Sequence, residues 1–182
     1  ANTDKVLIEV SRDNGASYET VDANAADTGS YPINTASVLD AAQCFIRVTA
    51  IDAAGNSSTP DVSDASFGID NVAPTLTITS PSGGENWNGT NNVTWSTNDV
   101  HPYQVDIGIG TAPMGPFTPL TSNETDDGSY SFNTADLDNG TYYLQIVATD
   151  GAGHTGPAEV SASFTLANVK VAGKAVYYDT NR

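Results

Sequence analysis

The sequence has few of the residues that usually carry catalysis or hold a metal ion. It contains one cysteine, Cys44, and two histidines, His101 and His154. A single cysteine excludes an internal disulfide framework and any zinc site built on Cys-x-x-Cys pairs. Two histidines without a Gly-x-Ser-x-Gly motif make neither a Ser-His-Asp triad nor a histidine-based metal site. We therefore expect that the chain is not an enzyme and has no catalytic residues.

Basic residues and long apolar runs are also scarce. Six Lys and Arg stand against 22 Asp and Glu in 182 residues, which gives a formal net charge of −16. Such a charge repels a phosphate backbone, and no basic stripe opposes the repulsion, so no nucleic-acid partner is expected. No apolar run approaches the roughly 18 residues that span a bilayer, which argues against membrane insertion. The first residues do not resemble a signal peptide. Either one was removed or the chain is an internal segment of a longer protein, and we expect the segment.

One tetrapeptide resembles a catalytic motif. Residues 27–30 read DTGS, as in aspartic proteases. That chemistry needs two such carboxylates that share a proton in a buried dyad. The only similar stretch, residues 126–129, reads DDGS. A turn that leads into a strand explains both stretches, and no protease activity is expected.

The chain repeats itself. Residues 27–36 (DTGSYPINTA) return as residues 126–135 (DDGSYSFNTA), with seven of ten positions identical at an offset of 99. After a one-residue gap, residues 46–56 match residues 144–154 at an offset of 98. A period near 100 residues is that of a domain rather than of a solenoid unit. The sequence therefore predicts a tandem duplication.

Each repeat reads as short alternating strands between Gly-, Pro-, Asn- and Asp-rich turns. No window has a sustained helical period. In the second repeat the pattern predicts seven strands over residues 76–79, 93–96, 104–109, 117–121, 129–133, 142–149 and 160–166. Seven short strands in about 95 residues are typical of an immunoglobulin-like or fibronectin type III-like β-sandwich. The predicted fold class is all-β, with two such sandwiches in tandem.

Three stretches resemble known domain families. Residues 142–148 (YYLQIVA) are similar to the sixth strand of fibronectin type III and bacterial Ig-like domains, with Tyr142 placed to form a tyrosine corner. In the first repeat Cys44 takes this position, where a thiol fits best as a buried group. Residues 69–78 (IDNVAPTLTI) resemble the junction between bacterial Ig-like repeats of surface adhesins. Residues 78–96 resemble the opening of Ser/Thr-rich Ig-like domains of extracellular proteins.

The first repeat begins late. It has no counterpart of residues 74–99, so its first two strands are missing. We therefore divide the chain into residues 1–70, an incomplete first sandwich, residues 71–168, a second sandwich of about seven strands, and residues 169–182, an extra strand. Three explanations remain open for the first repeat: an excised fragment, a shorter variant, or a sandwich completed by strands from another chain. The extra strand could begin a further β-module, similar to the B-type repeats of Gram-positive surface proteins, or act as a donor strand.

Calcium is the one cofactor with a physical case, because hard oxygen ligands are plentiful. Ig-like repeats often bind it at their junctions, where this chain offers Asp70 and Asn71. Two loop carboxylates, Asp52 and Asp99, complete the predicted site. The alternative is that these side chains only bond to the backbone of their own turns.

A sugar ligand would need exposed aromatic rings. Trp95 alternates with Val93 in a predicted strand and is expected in the core. Trp87 lies in a Gly/Asn-rich stretch and is the predicted glycan contact.

The resemblances imply a non-catalytic structural, spacer or adhesion module of a large secreted or cell-surface protein. Its expected partners are neighbouring Ig-like domains of the same polypeptide. One alternative is a carbohydrate-binding accessory module of a secreted hydrolase. Another is a subunit of an extracellular fibre, assembled by exchange of β-strands between copies.

Overall fold

The computed structural model describes residues 3–169 and is almost entirely β-structure. No helix in this part of the chain is long and apolar enough to cross a bilayer. One short 3₁₀ helix, Thr35–Ser37, interrupts the strands. The fourteen strands of the described residues are β1 Thr3–Ser11, β2 Glu19–Ala26, β3 Ala41–Asp52, β4 Asp61–Val62, β5 Phe67–Ile69, β6 Thr75–Ser80, β7 Asn86–Trp87, β8 Thr90–Asn98, β9 Pro102–Gly110, β10 Thr118–Thr125, β11 Ser129–Asn133, β12 Gly140–Asp150, β13 Glu159–Val160 and β14 Phe164–Leu166.

The chain forms two compact units. Among the described residues, the first unit holds those up to Thr75 together with Asn98–Gln104 and Ala148–Pro157. The second unit holds Leu76–Thr97, Val105–Val147 and the residues from Ala158 onward. The units thus differ from the repeats drawn at residue 70, because three segments of the second repeat, residues 71–75, 98–104 and 148–157, belong to the first unit. The extra strand expected over residues 169–182 lies outside the described residues apart from Val169.

The first unit is built on one sheet. Its strands run in the order β2-β1-β3-β4, and β5 also pairs with β3. Every pairing in this sheet is antiparallel. Over residues 3–169, no second sheet belongs to this unit.

The second unit is a two-sheet sandwich. Six strands form one sheet in the order β10-β9-β12-β14-β7, with β13 beside β12, and three form the other in the order β11-β8-β6. Alternation along β8, β9 and β12 turns every second side chain inward. The apolar side chains that result are buried: Val93, Trp95, Val105, Ile107, Leu144 and Ile146.

The strands of the two units correspond in sequence. Adding 99 to the bounds of β1 and β2 gives those of β9 and β10, and adding 98 to β4 gives β13. The first unit has no strand that corresponds to β6, β8 or β11.

Burial follows this difference at some matching positions, although Ile8 and Val10 are as buried as their counterparts Ile107 and Ile109. Val105 and Ile146 are 1% and 0% exposed, whereas Val6 is half-buried and Val48 is 37% exposed. A groove of about 400 Å³ lies over this face of the first unit, lined in part by Val6, Ile46 and Val48. The apolar face of the first sheet is therefore only partly covered.

Two predictions about the sixth strand are confirmed. The Tyr142 hydroxyl donates a hydrogen bond to the carbonyl of Asp138 at 3.1 Å, as in a tyrosine corner. Cys44, at the matching position, is fully buried. Burial raises the pKa of its thiol above the usual value.

The predicted strand over residues 160–166 is divided into β13 and β14. Ser161 lies at the break, where its Oγ accepts a hydrogen bond from the amide of Leu144. The strand β7 was not predicted. Its two residues pair in parallel with β14, a contact distant in sequence.

Candidate functional site

Asp150 organises the turn that follows β12. Its Oδ1 accepts hydrogen bonds from the amides of Ala152 and His154, at 2.9 and 2.8 Å. Its Oδ2 lies 2.9 Å from Nδ1 of His154. Burial by itself would raise the pKa of Asp150, but these bonds outweigh it and hold the pKa below its usual value. A carboxylate that bonds to the backbone of its own turn explains this local fold.

Asp70 follows β5 and is the least well-satisfied side chain of the site. Its Oδ1 accepts a hydrogen bond from the amide of Val72 at 3.3 Å. Its Oδ2 is buried and has no hydrogen-bond partner among the described residues. Nδ1 of His101 lies 3.4 Å away, within ion-pair distance but outside hydrogen-bonding geometry. The side chain of Asp70 is only 3% exposed, so its charge is shielded from water.

Asp99 adds a third carboxylate. Its Oδ1 accepts a hydrogen bond from the amide of His101 at 2.7 Å. Burial, together with the negative charges of Asp70 and Asp150, raises the pKa of Asp99 despite that bond. The charges of Asp70 and Asp150 therefore lie close enough to act on Asp99.

The ring of His101 lies directly over Gly68. A Cβ at position 68 would collide with this ring, so glycine gives His101 its place beside Asp70. We call Asp70, Asp99, His101, Asp150 and His154 the carboxylate–histidine cluster. All five belong to the first unit.

Three members of the cluster could share one ion. Ligand atoms of Asp70, Asp150 and His154 lie within 4.8 Å of one another. A cavity of about 400 Å³ is lined by Asp70, His101 and Gly151. Asp70 and His101 therefore border this cavity, which Asp99, Asp150 and His154 do not line.

The structure brings two of the four predicted metal residues together, Asp70 and Asp99. Asp52 serves its own turn, where it accepts hydrogen bonds from the amides of Ala54 and Asn56 and from the Asn56 side chain. The amide of the Asn71 side chain donates to the carbonyls of Thr35 and Val38 and to Asp40. Among the described residues, neither Asp52 nor Asp99 belongs to the group of acid and histidine side chains that could hold a metal.

Sequence reasoning missed Asp150 and His154 as candidate ligands. In sequence they match Asp52 and Asn56 of the first repeat, which gives neither of them a ligand role of its own. The alternation of β12 carries a partial signal for Asp150, although the same alternation in β3 leads to Asp52. Leu144, Ile146 and Ala148 face the core, so Asp150 follows on the same side and is 1% exposed. An acid in register with a buried apolar row is rarely a plain surface residue.

The predicted glycan contact at Trp87 is wrong. Trp87 is 6% exposed, because its ring packs against Phe164 and Phe132 at centroid distances of 4.6 and 6.4 Å. A buried indole presents no free face on which a sugar ring could stack. Trp95 lies in the core, as predicted.

The His154–Asp150 pair resembles part of a catalytic triad. A triad would need a hydroxyl or thiol bonded to the second ring nitrogen. Within residues 3–169, no serine, threonine or cysteine side chain is hydrogen-bonded to either histidine ring.

Comparison with known families identifies the domain type. Residues 80–166 match the family model of the Kre9/KNH-like N-terminal Ig-like domain. This stretch covers most of the second unit and includes all of its strands except β6, of which only the last residue lies within it. The second unit therefore has an Ig-like β-sandwich fold.

Several solved structures are similar to the chain. The fibronectin(III)-like modules of Clostridium thermocellum CbhA match at 11% identity and a TM-score of 0.40, covering 53% of this chain and 100% of theirs. An Fn3-like protein from the same organism matches at 22% identity and a TM-score of 0.37, covering 56% and 100%. The FN1–FN3 domains of chicken CNTN1 match at 16% identity and a TM-score of 0.47, covering 92% and 58%. The comparison with curated proteins gave no match.

Proposed function

We propose that the chain is a non-catalytic spacer of a large secreted or cell-surface protein, and that its second unit bears mechanical load. The observation that carries the proposal is the parallel pairing of β7 with β14. One of these strands lies near the start of the second unit and the other near its end.

Three backbone hydrogen bonds join the two ends. The amide of Gly84 donates to the carbonyl of Ser163 at 2.9 Å, and that of Thr165 donates to Glu85 at 2.8 Å. The amide of Ala167 donates to Trp87 at 2.9 Å. When the ends of a domain are pulled apart, parallel terminal strands slide along each other. The bonds between them must then break together rather than one after another, which resists extension.

Surface charge and cysteine chemistry support an extracellular location. An acidic surface keeps extended modules soluble and apart from one another. The single thiol, Cys44, is fully buried. A buried thiol with a raised pKa is unreactive toward oxidants. The expected neighbours are further Ig-like domains of the same polypeptide.

The absence of catalysis can be tested on the intact chain. Chromogenic peptide, ester and glycoside substrates should show no turnover above background, and polysaccharide arrays no binding. The matched variant is His154→Asn, which copies the Asn56 of the equivalent turn and so preserves the fold. Turnover that disappears in this variant would contradict the proposal. Polysaccharide binding by the intact chain would favour the accessory-module alternative.

A second candidate function is favoured by the partly open face of the first unit. In the second unit, β11 pairs with β8, and residues 129–133 are the counterparts of residues 30–34. Residues 30–34 form no strand, since the first unit has no β8 counterpart to pair with them. A strand from another copy would supply that partner and cover Val6 and Val48. The donor we propose is residues 169–178.

Charge favours this donor. Residues 170–182 carry Lys170, Lys174 and Arg182, half of the basic residues of an acidic chain. Light scattering after size exclusion tests the idea. The full chain should form oligomers in proportion to its concentration, and a chain that ends at Asn168 should be monomeric. Identical masses for both chains would exclude strand donation.

A further inference from the structure

We infer that Asp70, Asp150 and His154 bind one divalent transition-metal ion in the first unit. The inference is independent of the spacer role, which rests on the second unit. Ligand atoms of these three side chains already lie within 4.8 Å of one another. That spacing is close to the span of ligands around a single ion, because metal–ligand bonds to oxygen and nitrogen are about 2.0–2.2 Å long.

The cluster has an unmet need for positive charge. Oδ2 of Asp70 is buried and accepts no hydrogen bond, and a buried carboxylate oxygen without a partner is costly. Two further carboxylates, Asp99 and Asp150, lie in the same cluster. The positive charge available among the described residues of the cluster is that of a protonated histidine, and His101 lies 3.4 Å from Asp70 without a hydrogen bond. A divalent ion would satisfy the orphaned oxygen and offset the three negative charges.

The donor set favours one class of ion. Calcium, the ion expected from the sequence, prefers six to eight oxygen ligands. Asp52, which could have supplied further oxygens, bonds within its own turn, and the Asn71 side chain donates its amide to Thr35, Val38 and Asp40. The third donor is an imidazole nitrogen instead, and a mixture of carboxylate and imidazole suits manganese or zinc better than calcium.

The surroundings of the site agree with ion binding. His154 lies 2.9 Å from Asp150, so their contact holds both proposed ligands in place. A cavity lined by Asp70 and His101 borders the cluster on one side.

Titration of the intact chain tests the inference. Calorimetry with manganese, zinc and calcium chlorides should give one site per chain. The dissociation constant for manganese or zinc should be at least tenfold lower than that for calcium. The chain has only two histidines, and both lie in the cluster. Manganese at substoichiometric amounts should therefore broaden the imidazole NMR signals of both before most amide signals.

Two variants test the ligands. Asp70→Asn should abolish the binding of manganese and zinc. Without metal it should melt at the same temperature as the wild type or higher, because it removes a buried charge that accepts no hydrogen bond on Oδ2. His154→Asn copies the turn of the first repeat, so it should stay folded and raise the manganese dissociation constant at least tenfold.

The control is Asp52→Asn, which changes the equivalent turn outside the cluster and should leave metal binding unchanged. The inference would be overturned if calorimetry detected no binding of any of the three ions and manganese did not broaden the imidazole signals. The assigned class of ion would be overturned if calcium bound as tightly as manganese and His154→Asn left that binding unchanged. Such a result would mean that the imidazole of His154 is not a ligand.

Discussion

The indole nitrogen of Trp95 donates a hydrogen bond to Oδ1 of Asp126 at 2.6 Å. The same oxygen accepts a second bond from the hydroxyl of Thr97 at 3.0 Å. Asp126 begins the turn that leads into β11, so one carboxylate joins the turn to two side chains of β8. The bond explains how a tryptophan with a polar ring nitrogen can occupy the core of the second unit.

Removing this carboxylate should destabilise the second unit. Asp126→Ala leaves two donors without an acceptor, and we expect a loss of about 1–3 kcal/mol in the free energy of unfolding. Both tryptophans lie in the second unit, so their fluorescence during urea unfolding reports on that unit alone. The control is Asp27→Ala at the matching, exposed position of the first repeat, which should leave the midpoint unchanged. Equal midpoints for Asp126→Ala and the wild type would contradict this role.

The tyrosine corner makes a graded prediction. Tyr142→Phe removes only the hydrogen bond to Asp138 and should cost about 1 kcal/mol. Tyr142→Ala also removes a half-buried ring that lies 6.3 Å from that of Phe164, and should cost about 3 kcal/mol. Tyr143→Phe, on the opposite face of β12, is the control and should be neutral. The measurement is the urea midpoint of unfolding, followed by tryptophan fluorescence. A midpoint of Tyr142→Ala equal to that of the wild type would show that the ring is not packed.

The first unit should lose stability in acid through Glu9. A two-point hydrogen bond from Arg47, at 2.7 and 2.9 Å, lowers the pKa of Glu9 below its usual value of 4.5, although burial opposes the shift. The folded pKa is depressed, so the stabilisation is present above pH 4.5 and is lost as pH falls through the lower, folded pKa.

Melting curves from pH 3 to pH 7 measure this effect. Followed by its far-UV signal, Glu9→Gln should have a lower melting temperature than the wild type at pH 7. Its melting temperature should fall less steeply as the pH is lowered. Glu19→Gln breaks a more exposed pair with Arg12 and should change the profile little. If Glu9→Gln and the wild type have parallel profiles, the pair does not contribute.

Valine-to-alanine substitutions at matching positions of the two units measure how completely each sheet is covered. Val105→Ala empties a site that is 1% exposed and should cost about 2 kcal/mol. Val6→Ala, at the matching position on the partly covered sheet, should cost less than half of that. Tryptophan fluorescence measures the first variant, and amide hydrogen exchange in β1 and β3 measures the second. Equal costs would mean that the first sheet is covered as well as the second.

Much of the fold is predictable because its signals are local. Turn residues and alternation located most strands of the second unit, and the bounds of β11 are those predicted. The short strand β7 could not be predicted, because its pairing with β14 depends on residues about 80 positions away. The prediction of a glycan contact at Trp87 was wrong for the same reason. Its neighbours in sequence are polar, but Phe132 and Phe164 cover it from distant strands.

The candidate site was predictable in part. Asp70 and Asp99 were found because acids stood out near the expected junction. Asp52 and Asp150 occupy identical turns, and local sequence could not separate them. They differ in what the fold places beside them, since Asp150 lies with Asp70 and His154 whereas Asp52 bonds only within its own turn.

Stretching single molecules from their two ends tests the load-bearing proposal most directly. The second unit should unfold at a higher force than the first, in which every pairing of the described strands is antiparallel. The second unit should release roughly 25 nm of chain, as expected for the residues enclosed between β7 and β14. Ala167→Pro removes the amide that bonds to Trp87, and should lower that force while tryptophan fluorescence shows an intact fold. Two results would contradict the account: a second unit that unfolds at a lower force than the first, or a folded Ala167→Pro variant whose second unit unfolds at the same force as that of the wild type.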